Sequence, residues 1–110
     1  MKILITGGAG FLGLHLASFF SKKNHKLILL DVQKFDKSEY AKDFRTEICD
    51  VRSKIKLDSL IKDQDIIIHA AAALPLWKEK DIYTTNIDGT KNILELAKKH
   101  KVKRVIYISS

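Results

Sequence analysis

Residues 6–13 read Thr-Gly-Gly-Ala-Gly-Phe-Leu-Gly, and they hold four of the five glycines in the 110-residue chain. The stretch follows a short apolar run, residues 2–6 (KILIT), which reads as a buried strand. It precedes a segment from Phe11 to Lys23 whose apolar residues Leu12, Leu16 and Phe19/Phe20 recur at helical spacing. Strand, glycine turn and helix in that order leave few architectures open. The glycines also form Gly8-x-Gly10-x-x-Gly13, a pattern that carries meaning only in this context. A tight turn at Gly7 and Gly8 needs residues free to take positive φ. Gly10 lets the backbone approach a pyrophosphate, and Gly13 lets the helix pack close to the strand. The free N–H groups of the first helical turn, around Phe11 and Leu12, would face the phosphates.

The rest of the chain repeats the alternation. Apolar runs at residues 26–31 (KLILLD), 65–69 (DIIIH) and 104–108 (RVIYI) read as strands, and residues 44–49 as a weaker, more polar edge strand. Helical patterns fall at residues 53–62, carrying Ile55, Leu57, Leu60 and Ile61, and at residues 78–99. Residues 33–43 read as a loop with at most one helical turn. Near-continuously apolar strands alternating with helices imply a parallel sheet covered on both faces. With right-handed crossovers, the expected fold is a single α/β domain, a doubly wound parallel sheet of five strands in the order 3-2-1-4-5.

Composition narrows the partners. The net charge is +7, but the lysines are dispersed. The densest patch, residues 98–104, falls at an expected helix end, where cations suit the helix dipole. With no recognition motif and no aromatic stacking platform, nucleic-acid binding is not expected. No apolar run reaches the length of a membrane span, and glycines interrupt the apolar start of the chain, so neither a signal peptide nor a membrane partner is expected. Cys49 is the single cysteine and reads as a small buried hydrophobe. A cytoplasmic location follows as the expectation.

Asp31 closes the second strand roughly 20 residues past the glycines, where an acid bonds the adenosine ribose in dinucleotide sites. A carboxylate there accepts from both ribose hydroxyls and repels a 2′-phosphate. Val32 and Gln33 are uncharged and only Lys34 could reach a phosphate, so NAD is favoured over NADP. Ala70, Ala71, Ala72 and Ala73 follow the fourth strand and have no bulk, so a ligand can lie against their backbone. They fit a tight turn equally well. His69 reads as a satisfied buried histidine before it reads as a catalyst. Asp50 alone reads equally as a capping residue. Asn86, Gly89, Ile93 and Leu96 share one helical face that should press on the sheet. Tyr83, Ile87 and Leu94 form a second stripe that faces elsewhere, open to either intramolecular packing or an interface.

Taken in order, TGGAGFLG, Asp50-Val51, His69-Ala70-Ala71-Ala72 and Asn86-x-x-Gly89-Thr90 resemble the extended short-chain dehydrogenase/reductase family, the NAD-dependent epimerases and dehydratases acting on nucleotide sugars and related substrates. The resemblance spans the whole chain and implies a Rossmann-like, NAD-binding domain over residues 1–110. It implies that Asp50 and Val51 contact adenine, that Ala70, Ala71 and Ala72 pack against the cofactor, and that Asn86 steadies the backbone near the active site. It also implies a homo-oligomer, with the helix of Tyr83, Ile87 and Leu94 at a dimeric interface. By its place after the fifth strand, Ser110 resembles the family's catalytic Ser.

The family's Tyr-x-x-x-Lys pair does not occur in this sequence. In the family the Tyr moves a proton and the Lys lowers its pKa. The chain therefore reads as the first third of a longer enzyme, ending before the later strands and the substrate domain, and alone is expected to be inactive. Two further expectations follow. The RVIYI strand, interior in the whole family fold, would be an edge prone to association. NAD would bind weakly, through its adenosine and pyrophosphate. The competing reading is a non-catalytic dinucleotide-binding sensor or regulatory module.

Overall fold

The apolar runs at residues 2–6, 26–31 and 65–69 become the inner strands of one parallel sheet. In the computed structural model, which describes residues 1–40, 44–70 and 78–108, the strands are β1 (Lys2–Thr6), β2 (Lys26–Asp31), β3 (Arg45–Ile48), β4 (Ile66–His69) and β5 (Arg104–Tyr107). They stand in the order β3-β2-β1-β4-β5, as expected from the alternation. Every pairing is parallel, and the register sets Thr6 beside Leu30 and His69, and Asp31 beside Ile48. The carboxyl ends of neighbouring strands therefore converge on one edge of the sheet. This is the edge where ligands bind in such folds.

Alternate strand residues feed two cores. Leu4, Ile28, Leu30 and Ile67 pack with Leu57, Leu60 and Ile61 of α2 (Lys54–Ile61) and with Ile93, Leu96 and Ala97 of α4 (Thr90–Lys99). On the opposite face Ile3, Ile5, Leu27, Leu29 and Ile68 pack with Ala17 of α1 (Phe11–Ser21). The polar strand β3 and the largely exposed β5 form the two edges of the described sheet.

Three details differ from the sequence reading. In α1 the buried residues are Gly13, Ala17 and Ser21, one position along from the expected stripe. Leu12 and Phe19 are exposed and Leu16 and Phe20 half-buried. The helix sets off from the glycine turn so close to the sheet that only small side chains fit between them. In α2, Ile55 stands 91% exposed, so its apolar character plays no part in the core. The helix expected at residues 78–99 is three pieces: α3 (Glu79–Thr84), a π-helical turn at Thr85–Gly89, and α4. A π turn inserts one residue into the helical ladder and resets which positions face the core. Here it buries Thr85 and Gly89. The stripe of Tyr83, Ile87 and Leu94 is exposed, facing away from the sheet as expected. Among the described residues no helix is long and apolar enough to cross a membrane.

Candidate functional site

Each glycine of the turn after β1 is explained differently. Gly7 has φ 70°, in the left-handed region that favours glycine. Gly8 donates its N–H to Leu30 O at 2.9 Å, and a Cβ on it would stand 2.8 Å from Leu29 Cβ. A Cβ on Gly13 would meet Gly7 O at 2.5 Å and Gly8 Cα at 2.6 Å, so Gly13 lets α1 lie on the turn. Gly10 is the exception. Its backbone (φ −82°, ψ 172°) suits any residue, and the nearest atom to an added Cβ is Gly7 O at 3.4 Å. Neither conformation nor packing requires glycine there. Gly10 begins α1 with no side-chain cap, and no acidic residue lies in the first turn. The first-turn amides thus keep their partial positive charge for a ligand. Phe11 stands 81% exposed beside them, with its ring edge-on to His15, and Leu12 is exposed as well.

Asp31, at the end of β2, fastens this turn. Ala9 N donates to its Oδ2 and Gln33 N to its Oδ1, each at 3.0 Å. Each oxygen accepts one hydrogen bond, and a carboxylate has about four acceptor positions, so capacity remains for two further donors. The Tyr40 hydroxyl donates to Gly8 O at 2.5 Å from the far side of the turn. Its pKa is raised, first by burial and then by the carboxylates of Glu39, Asp31 and Asp36.

Beyond β3, Cys49 N donates to Asp31 O at 2.9 Å, which draws the next loop to the same edge. Cys49 is buried and free, as expected of a small hydrophobe, and burial raises its thiol pKa. Asp50 is gripped by Arg52. The Nε lies 3.1 Å from both carboxylate oxygens, Nη2 lies 2.7 Å from Oδ2, and the Arg52 backbone N donates to Oδ1 at 2.9 Å. These bonds from Arg52 hold the Asp50 carboxyl below its usual range. Arg52 Nη1 reaches on to Asp81 Oδ1 (3.1 Å) and Thr84 Oγ1 (3.0 Å) on α3. Val51 is only 2% exposed and packs on Gly89, where a Cβ would overlap the Val51 side chain. Asn92 Nδ2 donates to Val51 O at 3.0 Å and Arg52 O at 3.2 Å.

His69 ends β4 at 1% exposure. Its Nδ1 lies 2.7 Å from Thr6 Oγ1 and its Nε2 lies 3.0 Å from Thr90 Oγ1. Burial pushes its pKa down to about 4, so at neutral pH one ring nitrogen donates and the other accepts. This is the satisfied buried histidine expected from the sequence. Ala70 N donates to Thr6 Oγ1 at 3.0 Å, which sets Ala70 beside the end of β1. Asn86 is half-buried in the π turn. Ala71, Ala72 and Ser110 lie outside the described residues.

The structure thus gathers Gly7, Gly10, Phe11, Leu12, Gly13, Asp31, Asp50, Val51 and Ala70 along the carboxyl edge of the sheet. Sequence reasoning did not single out Arg52, Asn92 or Tyr40, which position these residues. The one available signal was a cation two residues past Asp50, an ordinary i, i+2 pairing in a loop. Among the described residues, no group of three or more His, Cys, Asp or Glu side chains is placed to hold a metal ion.

The profile of the 3-beta hydroxysteroid dehydrogenase/isomerase family matches residues 4–110. The chain is 36% identical to a UDP-N-acetyl-alpha-D-glucosaminuronate decarboxylase of Bacillus cytotoxicus, over 99% of this chain and 36% of the relative. It is 39% identical to a D-erythronate dehydrogenase of Haemophilus influenzae, over 100% of this chain and 38% of the relative. Its fold superposes with TM-score 0.86 on a UDP-glucose 4-epimerase from Bifidobacterium longum solved in complex with NAD+ and UDP. That match has 26% identity and covers 100% of this chain and 37% of the epimerase. The chain therefore spans well under half the length of each of these relatives.

Proposed function

We propose, for a chain that belongs to the 3-beta hydroxysteroid dehydrogenase/isomerase family, that it is the NAD-binding part of an epimerase- or dehydratase-type oxidoreductase acting on a nucleotide sugar. The observation that carries the reading is Gly10, a glycine that neither φ nor packing demands, at the uncapped start of α1. A ligand phosphate lying against its backbone accounts for the missing side chain. In this reading the first-turn amides beside Phe11 and Leu12 hold the pyrophosphate. The adenosine ribose hydroxyls donate to Asp31, whose carboxylate has acceptor positions left and would repel a 2′-phosphate. NAD is accordingly preferred to NADP. Adenine lies by Asp50 and Val51, and Ala70, Ala71 and Ala72 floor the crevice toward the nicotinamide. Asn86 steadies the π turn nearby, and Ser110 would orient the substrate. Bound NAD supplies a hydride acceptor.

The nucleotide-sugar substrate is supported by the named activities of the decarboxylase and epimerase relatives. Homo-oligomerisation through the exposed Tyr83, Ile87 and Leu94 belongs to the same proposal. No Tyr-x-x-x-Lys occurs in these residues, and the role read for them is to hold the cofactor.

Calorimetry with NAD and ADP-ribose on the chain and on Gly10→Ala tests it. The wild type should bind both ligands, and NAD more tightly than NADP. Gly10→Ala should bind at least roughly tenfold more weakly, with stability within about 0.5 kcal/mol of the wild type. ADP-ribose binding no better than inorganic phosphate, or full affinity in Gly10→Ala, would overturn the reading.

A further inference from the structure

We infer that Arg52 is a positioning residue that makes Asp50 a single-acceptor reader of the cofactor's adenine amino group and ties that reader to α3. The inference rests on the cofactor reading above and goes beyond it. A carboxylate offers about four acceptor positions. Three Arg52 hydrogens, from its backbone N, Nε and Nη2, already point at the two Asp50 oxygens, and the Nε hydrogen is shared between them. This leaves room for one more donor. The Asp50 side chain is 33% exposed, so that remaining position is open to a ligand. An exocyclic amino group provides a single N–H for it. A carbonyl oxygen at the same place would face a fixed negative charge.

The guanidinium does more than hold Asp50 still. Its remaining nitrogen spans to Asp81 and Thr84 on α3, 29 and 32 residues away in sequence. The carboxylate's orientation is thus set by a helix of the domain and not by the loop alone. Asn92 fixes the same loop from α4 through the Val51 and Arg52 carbonyls, so the backbone has little freedom to absorb a change at the side chain. A lysine could replace the charge of Arg52. It could not bond both Asp50 oxygens and reach α3 at once, because it has one nitrogen and no planar fork.

The test is the affinity ratio between NAD and deamino-NAD, in which a carbonyl replaces the adenine amino group. Calorimetry on the whole chain should show NAD favoured by roughly tenfold, the scale of one hydrogen bond to a charged group. Arg52→Gln should bring the ratio to within about twofold. Arg52→Lys, which keeps the charge and guards against a Gln variant that does not fold, should also lose most of the preference while melting near the wild type. A purely structural Arg52 would lower both affinities together and leave the ratio unchanged, and that result overturns the inference. So does a wild type that binds both dinucleotides equally. A wild type that binds neither overturns the cofactor reading itself.

Discussion

The glycine turn after β1 and the Asp50–Arg52 loop after β3 lie on the same edge of the sheet, yet they are held by opposite means. The turn is positioned by what its residues lack. Gly8 and Gly13 sit where any Cβ would strike Leu29 or the turn's own backbone. The loop is positioned by what polar groups add: a guanidinium that joins the loop's own Asp50 to α3, and an amide of α4 donating to two loop carbonyls. The first should fail when a methyl is added, the second when a polar group is removed. Between them stands His69, which touches Thr6 at the root of the turn and Thr90 next to Gly89, the residue under Val51.

The largest effect should come from adding a methyl to the turn. In Gly13→Ala the new Cβ overlaps Gly7 O and Gly8 Cα, both backbone atoms that cannot rotate away. Either α1 lifts from the sheet or the turn changes course. A loss above about 4 kcal/mol, or failure to fold, is expected in urea denaturation. The same methyl at Gly10 should be nearly silent in that assay, and the pair of variants separates glycines kept for packing from a glycine kept for a ligand. Equal losses at the two positions would erase that distinction.

The second effect acts at the joint between the regions. In an unfolded chain His69 takes a proton near pH 6.5, but in the fold only at about 4. Between those values the unfolded state binds a proton that the folded state refuses. Its stability contribution is therefore complete above about pH 6.5, declines as the pH falls toward 4, and declines no further below that. The whole loss amounts to about 3 kcal/mol. Urea midpoints from pH 7.5 to 4.5 should show the slope, and His69→Gln should flatten it. Asp50, held below its usual range by Arg52, works in a lower window: its contribution is lost only as the pH falls below about 4. An unflattened slope in His69→Gln would assign the acid sensitivity elsewhere.

The two regions also differ in how far the sequence announces them. The turn is local. Strand, glycines and helix are contiguous, and Asp31 follows at a fixed interval, so pattern alone places Gly7, Gly10, Gly13 and Asp31 at one site. The five-strand order was legible for a related reason: each apolar run is followed by a helix or a loop, and handedness leaves one economical winding. The stripe on α1 was misjudged because apolar spacing marks Leu12 and Phe19 as core, while the close approach set by the turn admits only Gly13, Ala17 and Ser21. The clamp on Asp50 was not legible at all. Asp81, Thr84 and Asn92 reach the loop only after α3, the π turn and α4 have been laid across the sheet, and the π turn that sets their phase has no signature in hydrophobic period.

The smallest effect tests that clamp from its backbone side. Asn92→Ala removes one amide that donates to both Val51 O and Arg52 O. These carbonyls lie beside a nearly buried Val51, so water replaces the lost donor only in part, and the expected cost is about 1 to 2 kcal/mol. The loss should couple to Arg52. With Asn92 present, the backbone of residues 51–52 is fixed and Arg52→Gln disturbs only the side-chain pairing. With Asn92 gone, the side-chain bonds to Asp81 and Thr84 are what still tie the loop to the helices. A double-mutant cycle of Asn92→Ala and Arg52→Gln should therefore show a coupling of about 0.5 kcal/mol or more, the double variant losing more than the two single losses combined. Simple additivity would mean that α3 and α4 hold the loop independently.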